Sequence, residues 1–134
     1  MGAASVALND PLLDLPGYSL RRAASAMMAE FAARIEPLGL RIADVSALLV
    51  IGANPGITAS QLGRALDIQR ANMVPLLNRI EDAGLLTRRP LDGKSHSLHL
   101  TEAGEAKLAE ARATVAAFED WLSNRVPAQH RDHL

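Results

Sequence analysis

The chain has 134 residues, with 14 Lys and Arg against 15 Asp and Glu, a net charge of −1, and 49% hydrophobic but only 3% aromatic residues. That length suits one small domain, or one domain with helical arms. No apolar run approaches the roughly 20 residues that a membrane span needs, and the lack of cysteine excludes disulfides, thiol catalysis and cysteine-based redox sensing.

Alanine, leucine and isoleucine carry the hydrophobicity, which favours packed helices over stacked sheets. No basic segment followed by an apolar one opens the chain, so no signal peptide is expected. Met1-Gly2 is followed by Val6 where a myristoylation signal wants Ser or Thr. These features fit a cytoplasmic protein.

Residues 1–15 read as an arm with a turn at Asn9-Asp10-Pro11 and another signal at Pro16-Gly17. Its leucines, Leu12 and Leu13 among them, need a cover, for which a second subunit is the natural candidate. Residues 18–36 form a helix by periodicity, with Leu20, Ala23, Ala24, Met27, Met28, Phe31 and Ile35 on one stripe, closed by Pro37 and Gly39. Residues 41–53 give a second helix, ended by Asn54-Pro55-Gly56.

A short helix over 58–66 follows, then only Asp67 and Ile68 before a helix from about Gln69 to Ala83. Met73, Leu76, Leu77 and Ile80 fall at i, i+3, i+4, i+7, one buried helix face, and Gly84 supplies the stop. Two β-prone runs, Leu85–Pro90 and His96–Thr101, flank Asp92-Gly93, a strong hairpin signal. Helix, tight turn, helix and hairpin make a winged helix-turn-helix, whose second helix is the kind that enters a DNA major groove.

Thr101 is a natural N-cap for a long last helix, with Glu102 and Glu105 at its positive end. Leu108, Ala111, Val115, Phe118 and Leu122 recur at heptad-like spacing. Run to about Val126, this helix is near 35 Å long, longer than one small lobe can cover, so its stripe is expected to meet another copy of the chain. Leu12, Leu13, Leu108, Val115, Phe118 and Leu122 are the expected dimer contacts. Pro127 can start a further short helix.

The predicted fold is mostly α with a small antiparallel β-hairpin, a winged helix-turn-helix with flanking N- and C-terminal dimerisation helices. It divides into an N-terminal arm and dimerisation helix (1–36), a DNA-binding domain (37–101) and a C-terminal dimerisation helix with a short terminal segment (102–134).

The charge distribution agrees. Residues 64–99 hold six basic and four acidic side chains, a local +2 that leaves −3 for the rest. Local charge matters because the Debye length is about 8 Å in physiological salt. On a helical wheel Leu76, Leu77 and Ile80 lie within about 60° of Met73. The opposite face carries Ala71, Val74, Pro75 and Asn78, flanked by Asn72 and Arg79. Val74 and Pro75 suit thymine methyls, and Asn72 or Asn78 suits adenine. Pro75 inside a helix costs about 3 kcal/mol and should kink it; either it serves the reading face or it ends a first short turn. Arg70, with Gln69, stands at the groove edge. Arg64, Arg79, Thr58, Ser60 and Gln61 are candidates for phosphate contacts, which set affinity and register rather than sequence. Lys94, at the hairpin tip, is placed to enter the minor groove.

Leu62–Leu66, the Met73–Ile80 stripe, Glu81–Leu86 with Arg88, Asp92-Gly93-Lys94 and then Leu100-Thr101-Glu102-Ala103-Gly104 together resemble the MarR (multiple antibiotic resistance regulator) family of bacterial repressors, over about residues 18–126. The Leu-Thr-x-x-Gly run is the most specific part. The resemblance implies a two-fold dimer on double-stranded DNA, binding a palindromic operator and released by a small molecule, often aromatic. The chain departs from the family pattern at Lys94, where arginine is usual, at Pro75, and in a shorter segment after Pro127. Carried onto this chain, the family's ligand pocket implies Tyr18, Met27, Met28 and Phe31 as apolar lining, with Arg21 or Arg22 holding a carboxylate.

No residue pattern asks for a cofactor, a catalytic centre or a metal. There is no Gly-rich phosphate loop, HExxH or nucleophile elbow. His96 and His99, three apart on a strand, point to opposite faces, and His130 and His133 supply two ligands without a third. A winged helix used only for protein contacts is the competing class; it predicts no salt-sensitive DNA affinity.

Overall fold

The structure is a computed structural model and describes residues 7–133. The Met1-Gly2 and Val6 features and the first part of the arm lie outside the described residues. Five helices and one hairpin follow in the order α1 (Pro16–Ile35), α2 (Ile42–Ala53), α3 (Ala59–Leu66), α4 (Arg70–Asp82), β1 (Leu86–Pro90), β2 (His96–Leu100) and α5 (Glu102–Ser123). Short 3-10 turns at Pro11–Asp14, Glu36–Leu38 and Ala128–His133 flank them.

The helix ends follow from local chemistry. Thr58 caps α3 by accepting from Gln61 N–H at 3.2 Å, while Gln61 Oε1 accepts from Thr58 N–H at 3.0 Å, a reciprocal capping box. Asp10 Oδ1 accepts from Leu12 N–H at 3.0 Å and caps the first 3-10 turn. Pro16-Gly17 is no turn. Pro16 opens α1, where its missing N–H would have had no intrahelical partner anyway.

The core is the expected one at α4: Met73, Leu76, Leu77 and Ile80 are all buried. They join Val45, Ala47, Leu48 and Ile51 of α2, Leu62 of α3, Leu86 and Leu98 of the hairpin, and Leu108 and Ala111 of α5 in one cluster. The hairpin is antiparallel, Leu86 opposite Leu100 and Pro90 opposite His96. Gly93 takes φ +73° in its loop. The hairpin also pairs with the segment before α3, through Leu98 N–H to Ile57 C=O at 2.8 Å and Gly56 N–H to Leu98 C=O at 2.9 Å. Nothing in the sequence pattern signalled that third edge, because a two-residue pairing leaves no periodicity.

The stripe of α5 does not wait for a partner as expected. Leu108 is 3% exposed and Phe118 4% exposed within this one chain. Leu108 seats over Gly52 of α2, where any side-chain carbon would collide with it. Phe118 packs on Phe31 of α1, ring centroids 4.9 Å apart, and on Trp121 at 5.8 Å. Val115 packs against the same core, and Leu122 is half-buried. Leu108 and Phe118 are therefore core residues rather than dimer contacts. Most of the exposed large apolar side chains lie elsewhere, at Leu8, Leu12, Leu13 and Leu15 of the arm and at Leu20 (71% exposed) and Met28 of α1, with Val74 of α4 and Leu91 of the hairpin loop the other two.

Candidate nucleic-acid interface

α3 and α4 meet through Gly63. A side-chain carbon there would press on Ile68 C=O at 3.1 Å and on Met73 at 3.2 Å, so the small residue allows the tight turn that aims α4 outward. Asp67 makes that turn in the left-handed conformation, φ 53°, which Asp tolerates better than most residues. The outward side of α4 then carries Ala71, Asn72, Val74, Pro75 and Asn78, all exposed. Val74 remains 56% exposed. α4 runs without a break from Arg70 to Asp82 with Pro75 inside it, so Pro75 does not end a first short turn.

Between α3, α4 and the hairpin lies a groove of about 700 Å³. It brings together Thr58, Ser60, Arg64, Gln69, Arg70, Val74 and Lys94, seven of the sequence-selected residues, with Asp67 as its one acidic neighbour. Arg64, Arg70 and Lys94 are exposed, and no ion pair is formed by them among the described residues. Gln61, Asn72, Pro75 and Asn78 are exposed outside the groove.

Four of the selected side chains, those of Thr58, Gln61, Asn78 and Arg79, are already engaged. The Thr58 hydroxyl accepts from Gln61 N–H and donates to Gln61 Oε1 at 3.2 Å, so it closes the cap rather than facing outward as a free donor. Asn78 Oδ1 accepts from Arg88 Nη2 at 2.7 Å, and Arg88 Nε lies 3.2 Å from Glu81 Oε2. Arg79, expected at a phosphate, turns inward: its Nε and Nη2 donate to Asp44 Oδ1 at 3.1 and 2.5 Å. Asp44, 3% exposed, went unnoticed in the sequence. The signal was a lone acid in the first turn of a strongly apolar helix, which needs a partner when buried.

Thr101 ties the hairpin to α5. Its hydroxyl donates to Gly84 C=O and accepts from Gly104 N–H at 3.0 Å, and its own N–H donates to Leu85 C=O at 3.1 Å. The Leu-Thr-x-x-Gly run thus closes the loop between the end of α4 and the start of α5.

The ligand candidates are less gathered. Phe31 is occupied by Phe118 and the core. Tyr18 and Met27 are half-buried, while Arg21, Arg22 and Met28 are exposed. The Arg21 guanidinium stands 5.1 Å from the Tyr18 ring centre, within cation–π range. Among the described residues no three His, Cys, Asp or Glu side chains gather as a metal site; His99 Nε2 instead sits 3.0 Å from Ser97 Oγ. No helix among them is long and apolar enough to cross a membrane.

A family model described as MarR family matches residues 38–95. The chain is 32% identical over 121 residues to the transcriptional regulatory protein ascribed to the hcr operon of Thauera aromatica, covering 88% of this chain and 73% of that one. It is 30% identical to the HTH-type transcriptional repressor Rv2887 of Mycobacterium tuberculosis, covering 84% and 82%; the salicylic acid complex of that protein superposes with a TM-score of 0.70 at 28% identity, over 88% and 89%. The transcriptional repressor CouR bound to a 23-mer DNA duplex superposes at a TM-score of 0.84 with 38% identity, over 91% of this chain and 88% of that one. CouR bound to p-coumaroyl-CoA gives 0.83 and 36%, over 91% and 87%.

Proposed function

This chain belongs to the MarR family of transcriptional regulators, and on that premise we propose that it works as a homodimeric repressor released from its operator by an aromatic acid or the CoA thioester of one. The observation that carries the DNA reading is the groove between α3, α4 and the hairpin. Arg64, Arg70 and Lys94 stand around it, and the outward side of α4 offers amide and apolar groups with no acid before Glu81. Cations at the rim suit phosphates. Asn72, Val74 and Pro75 suit base edges in the major groove, and Lys94 suits the flanking minor groove.

A second copy covers Leu12, Leu13 and Leu20. It sets two α4 helices about one DNA turn, roughly 34 Å, apart, so the operator is pseudo-palindromic. A dimer on a promoter blocks polymerase, which makes the protein a repressor working in the cytoplasm. The effector class is supported by CouR, solved with p-coumaroyl-CoA, and by Rv2887, solved with salicylic acid. In this chain Tyr18, Arg21, Arg22, Met27 and Met28 are the candidate contacts, an arginine meeting the acid or a CoA phosphate. Such a ligand releases DNA only by binding the DNA-incompetent dimer more tightly than the competent one.

The test is binding of the purified chain to the DNA flanking its own gene and to a random duplex across a salt series, with and without salicylate or p-coumaroyl-CoA. Selective binding that falls steeply with salt and weakens with one of the two ligands is expected. Equal, weak binding to both duplexes would overturn the regulator assignment, and selective binding untouched by either ligand would overturn the effector class.

A further inference from the structure

The C-terminal half of α4 is held by polar ties on two sides. Asp44, third residue of α2, is 3% exposed. Its Oδ2 accepts from Arg41 N–H at 2.8 Å, and its Oδ1 receives both Nε and Nη2 of Arg79, 35 residues further along the chain. The neighbouring Asn78 is tied to Arg88 of β1. Consecutive side chains of the helix are therefore anchored in opposite directions, one into the scaffold and one into the hairpin.

A buried carboxylate is weak evidence for stability, since an apolar pair of similar volume often packs as well. It does supply direction. Two guanidinium nitrogens converging on one oxygen fix rotation and slide of α4 against α2, which apolar contact leaves free over a wider range. α2 in turn packs against α5 and α1, the helix that bears the exposed Leu20 and Met28. The orientation of the reading head relative to the rest of the dimer thus passes through this pair.

We propose that Asp44, acting through Arg79, is a positioning residue for DNA recognition: the pair sets the angle at which Asn72, Val74 and Pro75 meet the bases, and Arg79 is not a phosphate ligand. The proposal rests on the regulator reading above. The alternative has the opposite sign. If Arg79 served a phosphate, Asp44 would compete with DNA for the guanidinium, and neutralising Asp44 would tighten binding.

The experiment compares the full chain with D44N, R79Q, R79K and, as a phosphate-contact control, R64A. The probes are a duplex selected by the wild-type chain from a random-core library and a random duplex, each across a salt series. Amide exchange over residues 70–82 is followed without DNA. D44N and R79Q should each lose about tenfold or more on the selected duplex, with little change on the random one and an unchanged salt slope, because discrimination rather than charge is lost. Exchange should quicken in α4 while α5 keeps its protection. R64A should weaken both duplexes and reduce the slope by about 0.9. R79K, which keeps the charge with one nitrogen, should bind the random duplex normally and lose part of the discrimination; it covers the case in which the other variants do not fold. Tighter or unchanged binding by D44N, a slope reduced by R79Q on both duplexes, or an R79K indistinguishable from wild type would overturn the proposal alone. A wild-type chain that selects no duplex would overturn the regulator reading and this proposal with it.

Discussion

Gly104, in the first turn of α5, lies so close beneath the carbonyl oxygen of Leu85 that no side-chain carbon fits between them. The obstacle is backbone, which cannot rotate away as a side chain can. Gly104→Ala should therefore destabilise the fold by about 3 kcal/mol, the upper end of overpacking costs, read as a lower urea midpoint at unchanged slope. A midpoint equal to wild type would mean that the hairpin and α5 are not joined this tightly.

Thr101 holds the same corner with three hydrogen bonds. Thr101→Val keeps the shape and the backbone bond but loses the cap and the bond to Gly84. A loss of about 1–2 kcal/mol is expected, visible as a drop in melting temperature, with the hairpin amides exchanging sooner than those of α1. If melting is unaltered, water has replaced both bonds without cost.

Pro75 withholds an N–H from the carbonyl of Ala71 in the middle of α4. Pro75→Ala restores that bond and should raise stability by about 1–3 kcal/mol. It should also weaken the selected operator relative to random DNA, since an exposed ring on the reading side is lost. A variant that is more stable and equally selective would assign Pro75 no part in recognition.

Lys94 is exposed on the hairpin loop. Lys94→Ala should weaken binding on every duplex alike and lower the salt slope by about 0.9, the loss of one cation at the minor groove with the counterion it displaces. Loss confined to the selected duplex would instead make it a base reader.

Buried and exposed apolar residues should separate cleanly. Leu108→Ala empties a core site and should cost about 2–5 kcal/mol of folding stability. Leu13→Glu and Leu20→Glu should leave the fold intact and shift the chain toward monomer in sedimentation velocity. Dimers that survive both glutamates would place the interface off the arm and α1.

The sequence alone determined the local features. The 3.6-residue period of Met73, Leu76, Leu77 and Ile80 identified the buried side of α4, because a helix face is set by spacing within one segment. Thr101, Gly84 and Asp92-Gly93 marked a cap, a stop and the hairpin, because those signals act on the backbone a few residues away, whereas Thr58, selected for a phosphate, closes a cap that only the structure shows. The groove cations Arg64, Arg70 and Lys94 were legible for the same reason: each sits at a marked helix end or hairpin tip.

Tertiary structure decided what each face meets. A stripe such as Leu108, Val115 and Phe118 announces that it will be covered but not by which chain, since periodicity contains no distance between segments. The absence of a side chain at Gly52, 56 positions before Leu108, leaves the room in which Leu108 seats, so that the apolar faces of α5 and its own α2 can close on each other. Likewise Arg79 reads as a free cation until Asp44 is brought beside it. An ion pair has no sequence spacing to betray it, only the electrostatic cost of leaving a buried carboxylate alone.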